Sequence, residues 1–141
     1  MTKTINLGES EGSLTWIVKN KDHWYALFAY YGQENHLTYL AQINNNWEIK
    51  GRWTFPKTII EEMGKMSVSG GVPWKEGFLV TGHDEKKLYY LTLPQTGKVL
   101  KLINLYKSPF TGQGIAFDPL NGGLVGINRA EKTLISSQLL P

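Results

Sequence analysis

The sequence predicts a single all-β domain built of antiparallel meanders, and three observations predict it. Apolar and polar residues alternate over many short segments, which is the period of a strand with one buried face. Five Trp, seven Tyr and five Phe enrich the chain in residues that favour strands. Fifteen Gly and six Pro supply turns. A chain of 141 residues has the size of one domain with its own core.

The N-terminal half contains four alternating segments separated by polar turns, as in a meander. The predicted strands are 13–18, 23–30, 37–43 and 47–53. Residues 58–64 then break the alternation, because Ile59, Ile60 and Met63 have helical spacing and Gly64 can end a helix. We therefore expect a short helix or an ordered loop that crosses to a second sheet.

The alternation resumes in two further rounds after this helix. The predicted strands are 66–72, 77–82, 88–93 and 99–103, followed by 114–117, 124–127 and 133–137. Residues 77–89 can be aligned with 123–134, because both run from glycine through an apolar strand and a polar turn with a Glu-Lys pair to a second strand. The repeat is roughly 40–50 residues long, a length found in propeller blades.

Several strings in these rounds resemble blades of β-propellers of the lactonase-like and NHL-like kinds. They are GGVPW (70–74), GFLVTGHD (77–84), LYYL (88–91) and GQGIAFD (112–118). The resemblance implies about three four-stranded, propeller-like blades in one domain, spanning about 13–55, 66–106 and 112–140. The third unit ends one strand short, and residues 3–7 could close it, since an unpaired sheet edge needs covering.

Three blades are fewer than the four to eight that a propeller usually holds, so two sheet faces would stay exposed. We therefore expect a homodimer in which two half-propellers form a six-bladed ring by two-fold symmetry. The alternative is a monomeric twisted sheet, sandwich or barrel of about a dozen strands.

Composition and charge exclude several classes of function. The 15 basic and 12 acidic residues are interspersed, so we expect no nucleic-acid partner. The absence of cysteine excludes a disulfide scaffold, a Cys-ligated metal and a Cys nucleophile. No nucleophile elbow, phosphate-binding loop or dinucleotide fingerprint occurs. No apolar run is long enough to cross a bilayer, so we expect no membrane partner. The N-terminus lacks the apolar stretch of a secretory signal, so we expect a cytoplasmic location; the alternative is a signal that has been removed.

The segment from His83 through Asp84 to Glu85 is the first candidate site. A histidine beside two carboxylates can ligate a divalent metal or act as an acid–base pair. The alternative is a polar hairpin turn in which Asp84 bonds its own backbone.

Gln113 and Asp118, which flank the predicted inner strand 114–117, form the second candidate site. The resemblance implies that inner strands face a central channel where lactonase-like propellers hold a metal. It offers Asp118 as a carboxylate ligand and Asn128 as its companion. The alternative is that Asp118 initiates a turn before Pro119.

Aromatic side chains suggest a binding surface of another class. Exposed Trp and Tyr could stack on sugars or other flat ligands. The candidates are Tyr30, Tyr31, Trp47 and Trp74. The alternative is that packing buries them, since Trp is buried on average.

The sequence therefore favours a binding or interaction protein without a cofactor. It would recognise a small ligand, a glycan or a partner protein through a channel mouth or loop surface. The candidate ligand-binding residues are Tyr30, Tyr31, Trp47, Trp74, His83, Asp84, Gln113, Asp118, Asn128 and Arg129. The alternative is a metal-dependent lactonase-like hydrolase, with a divalent metal at Asp118 in the channel of an assembled ring, and the residues alone leave the choice open.

Overall fold

The computed structural model describes residues 1–8, 12–83 and 86–138. It is all-β with three antiparallel meander sheets, as predicted. The first sheet contains β1 (Ser13–Asn20), β2 (His23–Ala29), β3 (Tyr39–Ile43) and β4 (Ile49–Thr54). The second contains β5 (Gly70–Trp74), β6 (Gly77–Thr81), β7 (Lys87–Thr92) and β8 (Lys101–Lys107). The third contains β9 (Ile115–Asp118), β10 (Gly123–Asn128) and β11 (Thr133–Gln138).

Each sheet is a meander whose strands pair in chain order, with β10 in the middle of the third sheet. The first strands of consecutive sheets contact each other, β1 against β5 and β5 against β9. Glycines on β5 permit this approach: a Cβ at Gly71 would clash with the Trp16 ring, and a Cβ at Gly70 would meet the main chain of residues 113–115. The second sheet therefore lies between the other two.

The predicted short helix forms as α1 (Lys57–Glu62), and Gly64 follows it with a φ of 57°. Residues 55–69, which include α1, connect the first sheet to the second. Buried Asn35, in a 3₁₀ turn (Gly32–Leu37), donates to the carbonyl oxygens of Ile60, Gly64 and Met66 at 3.3, 2.7 and 3.3 Å. These bonds satisfy main-chain acceptors where the helix ends and fix the connection over the core.

The largest apolar cluster lies between the first and second sheets. Fully buried members come from both sheets, from α1 and from the connection after it, and they are Leu27, Leu40, Ile59, Val68, Phe78, Tyr89 and Leu91. A smaller cluster joins the second and third sheets through Leu79, Leu88, Phe110 and Leu124. A third cluster covers the face of the first sheet that points away from the second, and it contains Ala26, Phe28, Tyr39, Ala41 and Ile43.

Three predicted elements differ from the observed ones. Residues 3–7 form no strand, and Leu7 instead packs against the outer face of the first sheet. The strand predicted at 66–72 begins at Gly70, because the Ser67 hydroxyl is held by that of Thr38 at 2.7 Å within the connection. The strand predicted at 99–103 runs instead from Lys101 to Lys107, because the preceding residues pair with the end of β4, where Leu100 N–H donates to Thr54 at 2.9 Å.

Candidate functional site

Three connections at one end of the second and third sheets enclose an open, polar pocket of about 600 Å³. They are the β6–β7 connection, the β8–β9 connection and the β10–β11 turn. The lining residues are His83, Thr111, Gln113, Asn128, Arg129, Ala130 and Glu131. Four residues selected from the sequence therefore line one pocket, namely His83, Gln113, Asn128 and Arg129.

Gln113 is positioned by its main chain. Its carbonyl oxygen accepts a hydrogen bond from the Thr81 hydroxyl at 2.9 Å, and Gly70 lies directly beside it. Because both partners belong to the second sheet, Gln113 is fixed at the contact between the second and third sheets, two residues before β9 begins. Its side-chain amide makes no hydrogen bond to any residue in the described part of the chain, so it is available to a ligand.

The β10–β11 turn holds Arg129 at the pocket. The Asn128 carboxamide accepts from Glu131 N–H at 3.2 Å and donates to the Glu131 carboxylate at 3.0 Å. These bonds are typical of an Asx-type turn, in which a short polar side chain replaces a backbone partner. Arg129 is exposed, and its guanidinium has no ion pair or hydrogen bond with the residues that the structure describes. Asn128 therefore acts as a turn residue, whereas Arg129 offers free donors.

Asp118 does not join this pocket. It ends β9, whereas Gln113 precedes that strand, so the two residues lie at opposite ends of it. The Asp118 carboxylate accepts from Asn121 Nδ2 at 2.7 Å and from the Leu120 and Asn121 N–H groups at 3.0 and 3.3 Å. The Asn121 side chain and then the Leu120 N–H lower the pKa of Asp118. Asp118 therefore initiates the β9–β10 turn, which is the alternative given for it above.

A metal centre has no ready set of ligands in the described ranges. Nowhere within residues 1–8, 12–83 and 86–138 do three or more His, Asp or Glu side chains come together to hold an ion. Asp84 and Glu85, neighbours of His83, lie outside the described residues. The hydrolase therefore stays a prediction from the sequence.

The candidate tryptophans stack on other aromatic rings. Trp47 stacks on Trp24 with ring centroids 5.7 Å apart, and Trp74 stacks on Phe117 at 6.1 Å. The Lys75 ammonium lies 5.6 Å from the Trp74 ring centroid. These contacts account for both tryptophans as packing residues of their turns.

The two candidate tyrosines differ from each other. Tyr30 is half-buried against the outer cluster of the first sheet. Tyr31 is 48% exposed, whereas the other three candidate aromatics are half-buried or less exposed. A sugar-stacking role therefore has most support at Tyr31, which lies on a different connection from the polar pocket.

Two features of the site were missed by sequence reasoning. Thr111 and Glu131 line the polar pocket, and neither carries a motif; only their places next to Gln113 and Arg129 could have indicated them. A second groove, of about 470 Å³, lies between the second and third sheets. Its lining includes Trp74, Leu79, Asn104, Tyr106, Phe110, Leu124 and Ser137.

In the described ranges, no helix has the length and apolar character needed to cross a membrane. Comparison with protein families, with curated proteins and with solved structures gave no match to this chain. The chemistry of its function must therefore be argued from the geometry above.

Proposed function

We propose that the three sheets are three blades of a propeller-like ring that a second copy of the chain completes. Two observations support this arrangement. The chain forms three meanders in succession, and the first strand of each sheet contacts the first strand of the next one. In propellers the first strands line the central channel. The polar pocket would then lie at one rim of the ring, beside the start of β9.

We propose further that the protein binds a small hydroxylated carboxylate, such as an acidic sugar, in the polar pocket. The observation that carries this proposal is that Gln113 and Arg129 line one pocket and that neither side chain has a polar partner among the described residues. A guanidinium offers a planar fork of donors that matches a carboxylate. The amide of Gln113 and the carboxylate of Glu131 supply the donors and acceptors that hydroxyl groups need.

Electrostatics at the pocket agree with an acidic ligand of small size. Among the lining residues that the structure describes, Arg129 is the one arginine or lysine and Glu131 the one carboxylate, and Asn128 holds that carboxylate. Within the described ranges no carboxylate pairs with Arg129, and a ligand carboxylate would supply that partner.

Titration with glucuronate, followed by nuclear magnetic resonance and calorimetry, tests this function. We expect shifts confined to residues of the pocket and weaker binding of glucose, which lacks the carboxylate. The Arg129→Gln variant should bind glucuronate at least about tenfold more weakly, since a hydrogen bond to a charged group contributes about 1.5–3 kcal/mol. Gln113→Ala should weaken binding of both sugars.

Arg52→Gln is the matched control, because it removes the chain's other arginine, which lies over Tyr39 in the first sheet. It should leave the affinity unchanged. Equal affinities of wild type and Arg129→Gln for glucuronate, or no shifts at millimolar glucuronate, would contradict the proposal.

A further inference from the structure

The third sheet has an unpaired and nearly uncharged edge. It has three strands where the other two sheets have four, and β11 has no partner on its outer side among the described residues. Its strands IAFD, GLVGIN and TLISSQ contain one charged residue, Asp118. On the face away from the second sheet, Ile127 and Leu134 are 48% and 73% exposed. Natural proteins protect such edges with charge or cover them.

The groove between the second and third sheets is also incomplete in a single copy. Asn104 and Tyr106 of β8 line one wall and Ser137 of β11 lines the other. The walls of the groove thus come from the fourth strand of the second sheet and from β11, the unpaired edge strand of the third sheet.

Residues 3–7 match the strand that occupies the equivalent place in the second sheet. They read KTINL, and residues 101–105 of β8 read KLINL, so four of the five positions are identical. β8 is the fourth strand of the second sheet. The match therefore identifies residues 3–7 as a fourth strand that lacks its sheet.

In a single copy this segment lies against the first sheet without joining a sheet. Ile5 and Leu7 are half-buried while Thr4 and Asn6 are exposed, which is the alternation of a strand with one covered face. The segment nevertheless pairs with no strand in the described ranges.

The connection between residues 3–7 and β1 limits which third sheet the segment can join, that of its own copy or that of a second copy. Seven residues, 108–114, connect β8 to β9 of the next sheet, and five, 8–12, connect the segment to β1. From residue 7 to residue 13 the chain spans at most about 20 Å. In the structure Leu7 packs on the outer face of the first sheet, and the second sheet lies between the first sheet and the chain's own third sheet. A third sheet docked on the outer face of the first sheet is within reach.

We propose that residues 3–7 of one copy pair with β11 of a second copy as the fourth strand of its third sheet. By two-fold symmetry each copy gives and receives one strand, so the two exchanges close the ring. This inference rests on the proposed ring, but not on the proposed ligand.

The repeat also predicts the register of the pairing. In the second sheet Leu79 pairs with Tyr90, and Tyr90 pairs with Asn104. Val125 is the equivalent of Leu79 in the third sheet, because each lies two residues after the first glycine of its strand. Val125 pairs with Ser136, which is therefore the equivalent of Tyr90. Asn6, the counterpart of Asn104, should therefore lie opposite Ser136 of the second copy. Leu7 then lies opposite Ile135 and enters the groove between the second and third sheets, leaving its place on the first sheet.

Disulfide trapping tests the pairing directly, because the chain has no cysteine of its own. The double variant Asn6→Cys/Ser136→Cys should give a covalent dimer after mild oxidation. Asn6→Cys/Leu120→Cys is the control, since Leu120 is 91% exposed but lies in the β9–β10 turn, away from the edge. A cross-link formed within one copy would overturn the exchange between copies.

Light scattering of the unmodified chain and of a proline variant completes the test. The wild type should have twice the chain mass, and Ile5→Pro should have the mass of one chain, because proline removes an N–H and does not fit a paired strand. Thr2→Pro, outside the segment, should remain a dimer. A monomeric wild type, or a dimeric Ile5→Pro variant, would overturn the proposal. Glucuronate binding by the Ile5→Pro monomer tests the ligand pocket separately, because all its lining residues belong to one copy.

Discussion

The pair formed by the first and second sheets differs from the third sheet in how much it buries. Between the first two sheets lies a cluster of fourteen buried residues, including Leu27, Leu40 and Leu91. In the described third-sheet strands, Leu124 is the one buried large apolar side chain. The stability of a single copy should therefore reside in the first two sheets, while the third presents surfaces for a ligand and for another chain.

Truncating one leucine in each region compares how much the two regions contribute to the free energy of unfolding, and we expect the largest difference here. Leu27→Ala removes a fully buried side chain and should lower the free energy of unfolding by about 2–5 kcal/mol. Leu134→Ala, at a 73% exposed position, should change it by less than about 0.5 kcal/mol in the monomeric Ile5→Pro background. Denaturation with urea, monitored by tryptophan fluorescence, measures both. Similar losses from the two truncations would show that the third sheet carries a core of its own.

The buried asparagine in the connection between the first two sheets should have the next largest effect. Asn35→Ala leaves the carbonyl oxygens of Ile60, Gly64 and Met66 without their side-chain donor. A buried acceptor without a partner costs about 1–3 kcal/mol, so we expect a loss of that size in the free energy of unfolding.

Asn45→Ala is the matched control, since Asn45 lies exposed in the β3–β4 turn. It should leave the urea midpoint unchanged. If Asn35→Ala unfolds at the midpoint of the wild type, the connection does not help to hold the first two sheets together.

The sequence predicted the well-buried region better than the open one. Alternation placed all eleven strands of the three sheets, and the spacing of Ile59, Ile60 and Met63 placed the short helix. Most of these elements have at least one buried face, which produces their pattern, whereas β8 is exposed along its length and its predicted bounds are shifted. Residues 3–7 alternate as well, but a strand needs a partner, and the pattern does not say whether a single copy supplies one.

The candidate site was predicted only in part. A sequence indicates where strands end, but it does not indicate which other segments lie next to those ends in the folded chain. His83, Gln113 and Arg129 follow or precede strands of two repeats, and the repeats stack their ends together. Asp118 was grouped with Gln113, although residues flanking a four-residue strand lie at its opposite ends. For Trp47 and Trp74, the ring that each stacks on lies on another segment, Trp24 and Phe117, and only the folded chain brings it near.

The smallest expected effect concerns the bond that ties α1 to the second sheet. The Tyr89 hydroxyl donates to the Glu62 carboxylate at 2.6 Å, and the Lys87 ammonium lies 3.1 Å from the same oxygen. Tyr89 first and Lys87 second lower the pKa of Glu62 from its ordinary value of 4.5. The unfolded chain therefore holds this proton more tightly than the folded chain does. The stabilisation is present above pH 4.5 and is lost as the pH falls through the lower pKa of the folded state.

Tyr89→Phe should accordingly lower the free energy of unfolding by about 1 kcal/mol or less at pH 7, because a neutral donor is lost and Glu62 is partly open to solvent. The difference from wild type should shrink as the pH is lowered below 4.5, since protonated Glu62 is a weaker acceptor. Tyr31→Phe, at an exposed tyrosine, should show no difference at either pH. Urea titrations of the three proteins at pH 7 and pH 3 measure this. A Tyr89→Phe loss that is equal at both values would mean that the hydroxyl contributes independently of the charge on Glu62, and would contradict a role for this carboxylate in tying α1 to the second sheet.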